Sequence, residues 1–206
     1  KINPRYSAHA SVFTKQECKS IIKLAKKYGF KDAAIGESNN GDGSPDQSYR
    51  RAKVSFLDMA QNDTQWLYEH LEYLGSAINN VNWRFKLGPS VKLKDNISTM
   101  PCRMMETIQI MRYSAKDRGH YDLHIDNGLY TATAFRKLSL TVQLSAASAY
   151  DGGTLQLHYG REPEVMPTEQ GTGVLFPSYV LHRVSPVERG TRYALVVWYR
   201  GCESYE

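Results

Sequence analysis

Cysteine is scarce. Three cysteines are spread along 206 residues (Cys18, Cys102, Cys202), with no C-x-x-C pair among them. That pattern excludes a disulfide scaffold and a zinc ribbon and fits a reducing compartment, so a cytoplasmic protein is expected. No apolar run reaches the roughly 18 residues of a membrane helix, so no membrane span is expected. The chain opens at Lys1 without methionine or an apolar leader; this reads as a trimmed start and leaves a removed leader open. No internal repeat is visible. Charge of one sign is in small excess, 26 Lys+Arg against 21 Asp+Glu. An excess of this size permits nucleic acid, acidic proteins or anionic cosubstrates without selecting among them. No tract interleaves basic and aromatic residues as a nucleic-acid groove does, which argues against nucleic acid. Hydrophobic content of 41% is that of a globular chain, and the length suits one domain over residues 1–206.

Thr14 with Glu17 has capping-box spacing, and Cys18, Ile21, Ile22 and Ala25 form an apolar stripe ending at Gly29, which predicts a helix over 14–28. Residues 36–48 are polar and glycine-rich and read as a mobile loop, a candidate lid. A short strand is expected at 51–57. A second helix is expected at about 63–80, capped by Asn62 or Asp63, with Leu67, Leu71, Leu74, Ile78 and Val81 at helical spacing. Beyond residue 81 the pattern turns to strands: 82–87, 106–113, 137–145, 154–159, 171–177, 179–185 and 191–200, with a long connection at 88–102. Helices first and short strands later describe an α+β protein. The expected architecture is a two-sheet β sandwich with N-terminal helices packed on one sheet, a helical part at about 1–81 and a β part at about 82–200.

The chemistry concentrates in Gly119-His-Tyr-Asp-Leu-His-Ile-Asp126. On a strand, His124 and Asp126 point the same way and could grip one ion. Such a triplet alone is weak, since chance supplies roughly 0.3 per chain of this composition. A second histidine, His182, precedes a turn at Pro186–Gly190 and the strand carrying Arg192. Strand, turn and strand predict a hairpin that sets Arg192 beside His182. Alternation places Arg192, Ala194, Val196 and Trp198 on one face, and no acidic residue shares it. A buried arginine needs a carboxylate. A dicarboxylate reaching from a metal to the guanidinium would provide one. Two histidines and one carboxylate with open positions suit non-haem Fe(II).

These stretches resemble the Fe(II)- and 2-oxoglutarate-dependent dioxygenases of the prolyl 4-hydroxylase-like branch, above all the PKHD-type hydroxylases. The resemblance is carried by Arg112-Tyr113 through Asp126, Lys137–Ser145, Tyr150-Asp-Gly-Gly-Thr-Leu155 and Phe176–Arg192. It implies a double-stranded β-helix, a jelly-roll or cupin-like sandwich. It implies His124, Asp126 and His182 as iron ligands, Arg192 as the partner of the far carboxylate of 2-oxoglutarate, and Tyr113 as its helper. Trp198 and Tyr121 would line the pocket, with Arg118 and Asn127 within reach of substrate. Fe(II), 2-oxoglutarate and O₂ would be required, with ascorbate as an accessory. The reaction implied is hydroxylation of an unactivated C–H bond, and an aspartate at 126 rather than a small residue favours hydroxylation over halogenation. A peptidyl prolyl or other amino-acid residue is the expected substrate, ahead of a free amino acid or small metabolite. A nucleic-acid demethylase and a non-enzymatic binding sandwich rank lower. Oligomeric state is not legible.

Overall fold

Thr14 is extended, and its hydroxyl accepts from the Glu17 N–H while the Glu17 carboxylate accepts from the Thr14 N–H, so both arms of the capping box are made. Helix α1 therefore begins at Lys15 and runs to Tyr28, where Gly29, at φ 86°, ends it. The computed structural model describes residues 4–33, 48–88, 103–128 and 132–201. Most of the candidate lid (36–47) and of the 88–102 connection lies outside them.

In chain order the elements are β1 (Ser7–His9), α1, β2 (Lys31–Asp32), β3 (Arg50–Arg51), β4 (Lys53–Leu57), α2 (Gln65–Asn82), β5 (Ile108–Ser114), β6 (His120–His124), β7 (Arg136–Gln143), β8 (Tyr150–Gly152), β9 (Leu155–His158), β10 (Glu164–Val165), β11 (Gly173–Pro177), β12 (Leu181–Val184) and β13 (Val187–Arg200). They form two antiparallel sheets. The larger runs β1-β11-β7-β13-β5-β4-β2, with β8 paired to the start of β13, and the smaller runs β10-β9-β12-β6-β3. The expected sandwich with helices on one sheet is present.

Both faces of the large sheet are covered, and period-2 alternation sorts them. Leu138, Leu140 and Val142 of β7, Ile108 and Ile110 of β5, and Leu195, Val197 and Tyr199 of β13 pack with Cys18, Ile21 and Ala25 of α1 and Leu67 and Leu71 of α2. This is the main core. The intervening residues of the same strands face the small sheet. There β7 presents Ser139, Thr141 and Gln143, all buried although polar. A polar strand face turned inward signals a site, because buried polar groups persist only with partners.

Several expectations need correction. Helix α2 starts at Gln65 with Thr64 as N-cap, and the Thr64 hydroxyl turns back to the Asp58 and Gln61 carbonyls instead of capping the helix. Val81, expected in the core stripe, is 67% exposed. Residues 82–87 are not a strand. The helix continues to Asn82, Arg84 takes a positive φ, and the buried Asn79 side chain satisfies both the N–H and the C=O of Phe85. Only Leu87 makes a bridge, to Gly201. The N-terminal part is not helical alone, since β1, β2 and β4 join the large sheet.

One helix position tests how tightly α2 meets the sheet. A Cβ on Gly75 would fall 2.2 Å from Tyr199 Cε1, and the Tyr199 hydroxyl donates to the Leu71 carbonyl at 2.7 Å. Alanine is favoured over glycine in a helix by about 1 kcal/mol. Overpacking a core costs typically about 1–3 kcal/mol. Packing should win, so Gly75→Ala is expected to lower the melting temperature in a calorimetric scan; a rise would show that Tyr199 yields.

Candidate active site

The two histidines face one another across a ladder. His182 of β12 and His124 of β6 are direct Cα partners, so their side chains leave the small sheet on the same, inward face. Their ring centroids are 4.1 Å apart. His124 Nδ1 lies 2.7 Å from the Asp122 carbonyl and His182 Nδ1 lies 2.8 Å from the Val180 carbonyl. A carbonyl only accepts, so each Nδ1 carries the proton and each Nε2 keeps its lone pair for the interior. Burial, then the neighbouring His182, pushes the His124 pKa down to about 4, which keeps it neutral and ligand-ready.

Asp126 lies two residues beyond the end of β6, held by its N–H donating to the Ser178 carbonyl at 2.9 Å. Its Oδ1 is 3.6 Å from His124 Nε2, and its Oδ2 is 3.4 Å from His182 Nε2. Burial raises its pKa, but His182 and His124 beside it outweigh that and hold the carboxyl below the usual range. The three ligand atoms lie within 4.8 Å of one another, and all three side chains are at least nine-tenths buried. Convergent Nε2, Nε2 and carboxylate donors on one side of a space match the donor set of a divalent iron site with open positions.

Arg192 is 1% exposed and reaches this space from the opposite sheet. The hairpin expected to bring it there does not form. After Val184 the chain leaves the small sheet, and Val187 onward pairs first with β8 and then with β5 and β7. Arg192 thus meets the histidines across the sandwich, not along a ladder. Its Nε donates to Gln143 Oε1 at 3.1 Å, and its guanidinium stands 5.4 Å from the Tyr113 ring centre. Its Nη2 is buried without a hydrogen-bond partner among the described residues. An unpaired buried guanidinium nitrogen is costly and marks the place of an anion. Gly153 makes room for it: a Cβ there would lie 3.2 Å from Arg192 Cδ. The Tyr150-Asp-Gly-Gly-Thr-Leu155 stretch, one of those carrying the resemblance, thus backs the arginine through Gly153.

One cavity of about 460 Å³, counting its open mouth, is lined by His124, Asp126, His182, Arg192, Tyr113, Tyr121 and Trp198, with Arg50 and Thr141 among the others. Tyr121 stacks on His124, centroids 3.6 Å apart at 16°, and the Arg50 guanidinium covers Tyr121 at 4.4 Å. Burial raises the pKa of both Tyr113 and Tyr121, so both hydroxyls stay protonated. At the other end the Arg136 guanidinium lies 3.7 Å over Trp198, donates to both Glu106 oxygens and reaches the Asp126 carbonyl at 3.2 Å.

Two candidates are not brought to the cavity. Arg118 caps a short 3-10 turn in a left-handed conformation, and Asn127 turns its amide to the Ala134 carbonyl at 3.4 Å; neither is among the lining residues. Ser139, Ser178, Gln143, Arg50 and Arg136 were missed. The sequence signal at Ser139 and Gln143 is strict alternation of polar with large apolar residues, which does not tell a wet polar face from a buried one.

Comparison with known proteins follows the same lines. The sequence profile described as the 2OG-Fe(II) oxygenase superfamily matches residues 108–200. A PKHD-type hydroxylase of Delftia acidovorans is 34% identical over 129 residues, 60% of this chain and 54% of that protein. One of Hyphomonas neptunium is 41% identical over 81 residues, 38% and 36% of the two chains. The chain therefore spans about half or less of the curated relatives it matches. Among solved structures, a Pseudomonas putida prolyl-4-hydroxylase superposes with a TM-score of 0.70 at 18% identity, covering 95% of this chain and 92% of that one. A Trichoplax adhaerens prolyl hydroxylase, solved with a hypoxia inducible factor oxygen degradation domain peptide fragment, gives 0.73 at 15% identity, covering 95% and 83%. At such identities the likeness concerns the fold, a double-stranded β-helix.

Proposed function

We propose that the chain, whose residues 108–200 match the profile described as the 2OG-Fe(II) oxygenase superfamily, is an Fe(II)- and 2-oxoglutarate-dependent hydroxylase of a peptidyl prolyl or other amino-acid residue. One observation carries the reading. The His124–Asp126–His182 cluster and the unpaired Nη2 of Arg192 face a single cavity from opposite sheets. A short dicarboxylate satisfies both, since one end can chelate a metal and the other can pair with the guanidinium. His124 Nε2, His182 Nε2 and Asp126 would hold the iron, and Arg192 the far carboxylate, with the protonated Tyr113 beside it. When bound, iron and 2-oxoglutarate supply the oxidation that transfers an oxygen atom from O₂ to a C–H bond, leaving succinate and CO₂. The protein's share is positioning and shielding. Gln143 orients Arg192 through Nε, and the Asp122 and Val180 carbonyls fix the imidazoles. Buried aromatic walls exclude water.

Substrate class rests on the relatives, which are named PKHD-type hydroxylases, and on fold neighbours titled prolyl hydroxylases. The test supplies Fe(II), 2-oxoglutarate and ascorbate with proline-containing peptides, other peptides or free amino acids. Succinate release and an added oxygen atom in the product are measured together. Substrate-stimulated succinate with an oxygenated peptide is expected. Oxygenation of a free amino acid alone would move the reading to a small-metabolite hydroxylase. No stimulated turnover with any of them would leave the substrate assignment without support.

A further inference from the structure

Asp126 is tied to the large sheet through two buried hydroxyls. Ser139 Oγ donates to Asp126 Oδ2 at 2.7 Å, and Ser139 Oγ lies 2.9 Å from Ser178 Oγ. Ser139 is 1% exposed and Ser178 is fully buried. The direction of the chain follows from its end. An ionised carboxylate only accepts, so the single Ser139 hydrogen points at Asp126. Ser139 must then accept from Ser178, giving Ser178 O–H to Ser139 O–H to Asp126 Oδ2. Successive hydrogen bonds of one direction polarise and strengthen each other.

We propose that Ser139 is a positioning residue for the carboxylate of Asp126, with Ser178 acting through it, so that Oδ2 is held and Oδ1 is left as the metal-binding oxygen. The inference rests on reading His124, Asp126 and His182 as the iron site. Ser139 has a rigid anchor, since its Cα is paired on one side with Phe176 of β11 and on the other with Trp198 of β13. Ser178 grips the same segment a second way, its carbonyl accepting from the N–H groups of Asp126 and Asn127 at 2.9 and 3.2 Å. The histidine ligands come from the small sheet, whereas the carboxylate is oriented from a central strand of the large one. The relay therefore sets the distance between the third ligand and the other two across the sandwich. A carboxylate without it rotates about Cβ–Cγ and offers the metal both oxygens or neither.

The test is Mn(II) titration of metal-free protein followed by electron paramagnetic resonance, with no turnover required. Ser139→Ala is expected to weaken Mn(II) binding roughly 10- to 100-fold, the usual loss when a ligand's hydrogen-bond partner is removed. Ser178→Ala should cost several-fold, and the double variant should bind no more weakly than Ser139→Ala alone, because the Ser178 hydroxyl acts only through Ser139 and its carbonyl is kept in the alanine variant. Bound Co(II) should change its visible absorption in Ser139→Ala and not in a surface control. Unchanged Mn(II) affinity in Ser139→Ala, with normal binding by the parent, overturns the positioning role and leaves the iron reading standing. Losses that multiply in the double variant overturn the relay. A parent protein that binds no Mn(II) overturns the iron reading and this inference with it. Should Ser139→Ala not fold, Ser178→Ala decides: a several-fold loss supports the relay and an unchanged affinity overturns it.

Discussion

Arg192→Ala is expected to raise the KM for 2-oxoglutarate by roughly 30-fold to several thousand-fold, because losing one partner of a buried charged hydrogen-bonded pair costs about 2–5 kcal/mol. Arg192→Lys should fall between, since an ammonium keeps the charge but cannot present the guanidinium fork. A second measurement separates binding from folding. Among the described residues, Arg192 Nη2 is buried with no hydrogen-bond partner. Exchanging a buried charge for an apolar side chain of similar volume is often neutral or stabilising. Arg192→Met should therefore melt no earlier than the parent, even with Gln143 Oε1 losing its partner. Added 2-oxoglutarate should raise the melting temperature of the metal-loaded parent and leave that of the variant unmoved. An unchanged KM in Arg192→Ala would remove 2-oxoglutarate from this cavity.

Asp126→Ala, His124→Ala and His182→Ala are expected to abolish turnover and weaken Mn(II) binding by more than about 100-fold, since loss of an outer hydrogen-bond partner alone costs up to that much. The fold should persist, because the three side chains face the cavity while the main core lies on the opposite face of the large sheet. Circular dichroism and melting temperature check the fold, and Mn(II) titration checks the site. Hydroxylation at the parent's rate by Asp126→Ala would sink the three-ligand assignment.

Much of this site was legible because its spacing follows strand geometry. Period 2 puts Asp126 on the side of His124, yet Asp126 lies past the end of β6 and is held by the Ser178 carbonyl. The face shared by Arg192, Ala194, Val196 and Trp198, by contrast, lines the cavity as alternation predicts. The capping box of α1 was equally plain, being local. What failed was non-local. A strand, a short turn and another strand usually pair, yet β12 and β13 lie in different sheets. A turn cannot reveal that the chain crosses the sandwich within it. Residues 82–87 alternated Trp83, Phe85 and Leu87 like a strand, but the side chain of Asn79 already occupied the backbone groups that a partner strand would need. Ser139 and Gln143 looked like the solvent face of an ordinary strand. Only a second sheet above them makes that face interior, and the second sheet is a property of the whole chain.

The two-sidedness of the large sheet bears on how such a protein changes over generations. Leu138, Leu140 and Val142 answer to the helices; Ser139, Thr141 and Gln143, between them in sequence, answer to the cavity. Neighbouring residues of β7 thus meet different physical demands. A change at Leu138, Leu140 or Val142 is expected to alter how much folded protein a cell holds, because it touches the main core. A change at Ser139, Thr141 or Gln143 is expected to act first on the cavity and on the Asp126 and Arg192 side chains that face it. The cavity can therefore be reshaped by substitutions on alternate residues of a strand whose remaining residues stay the same.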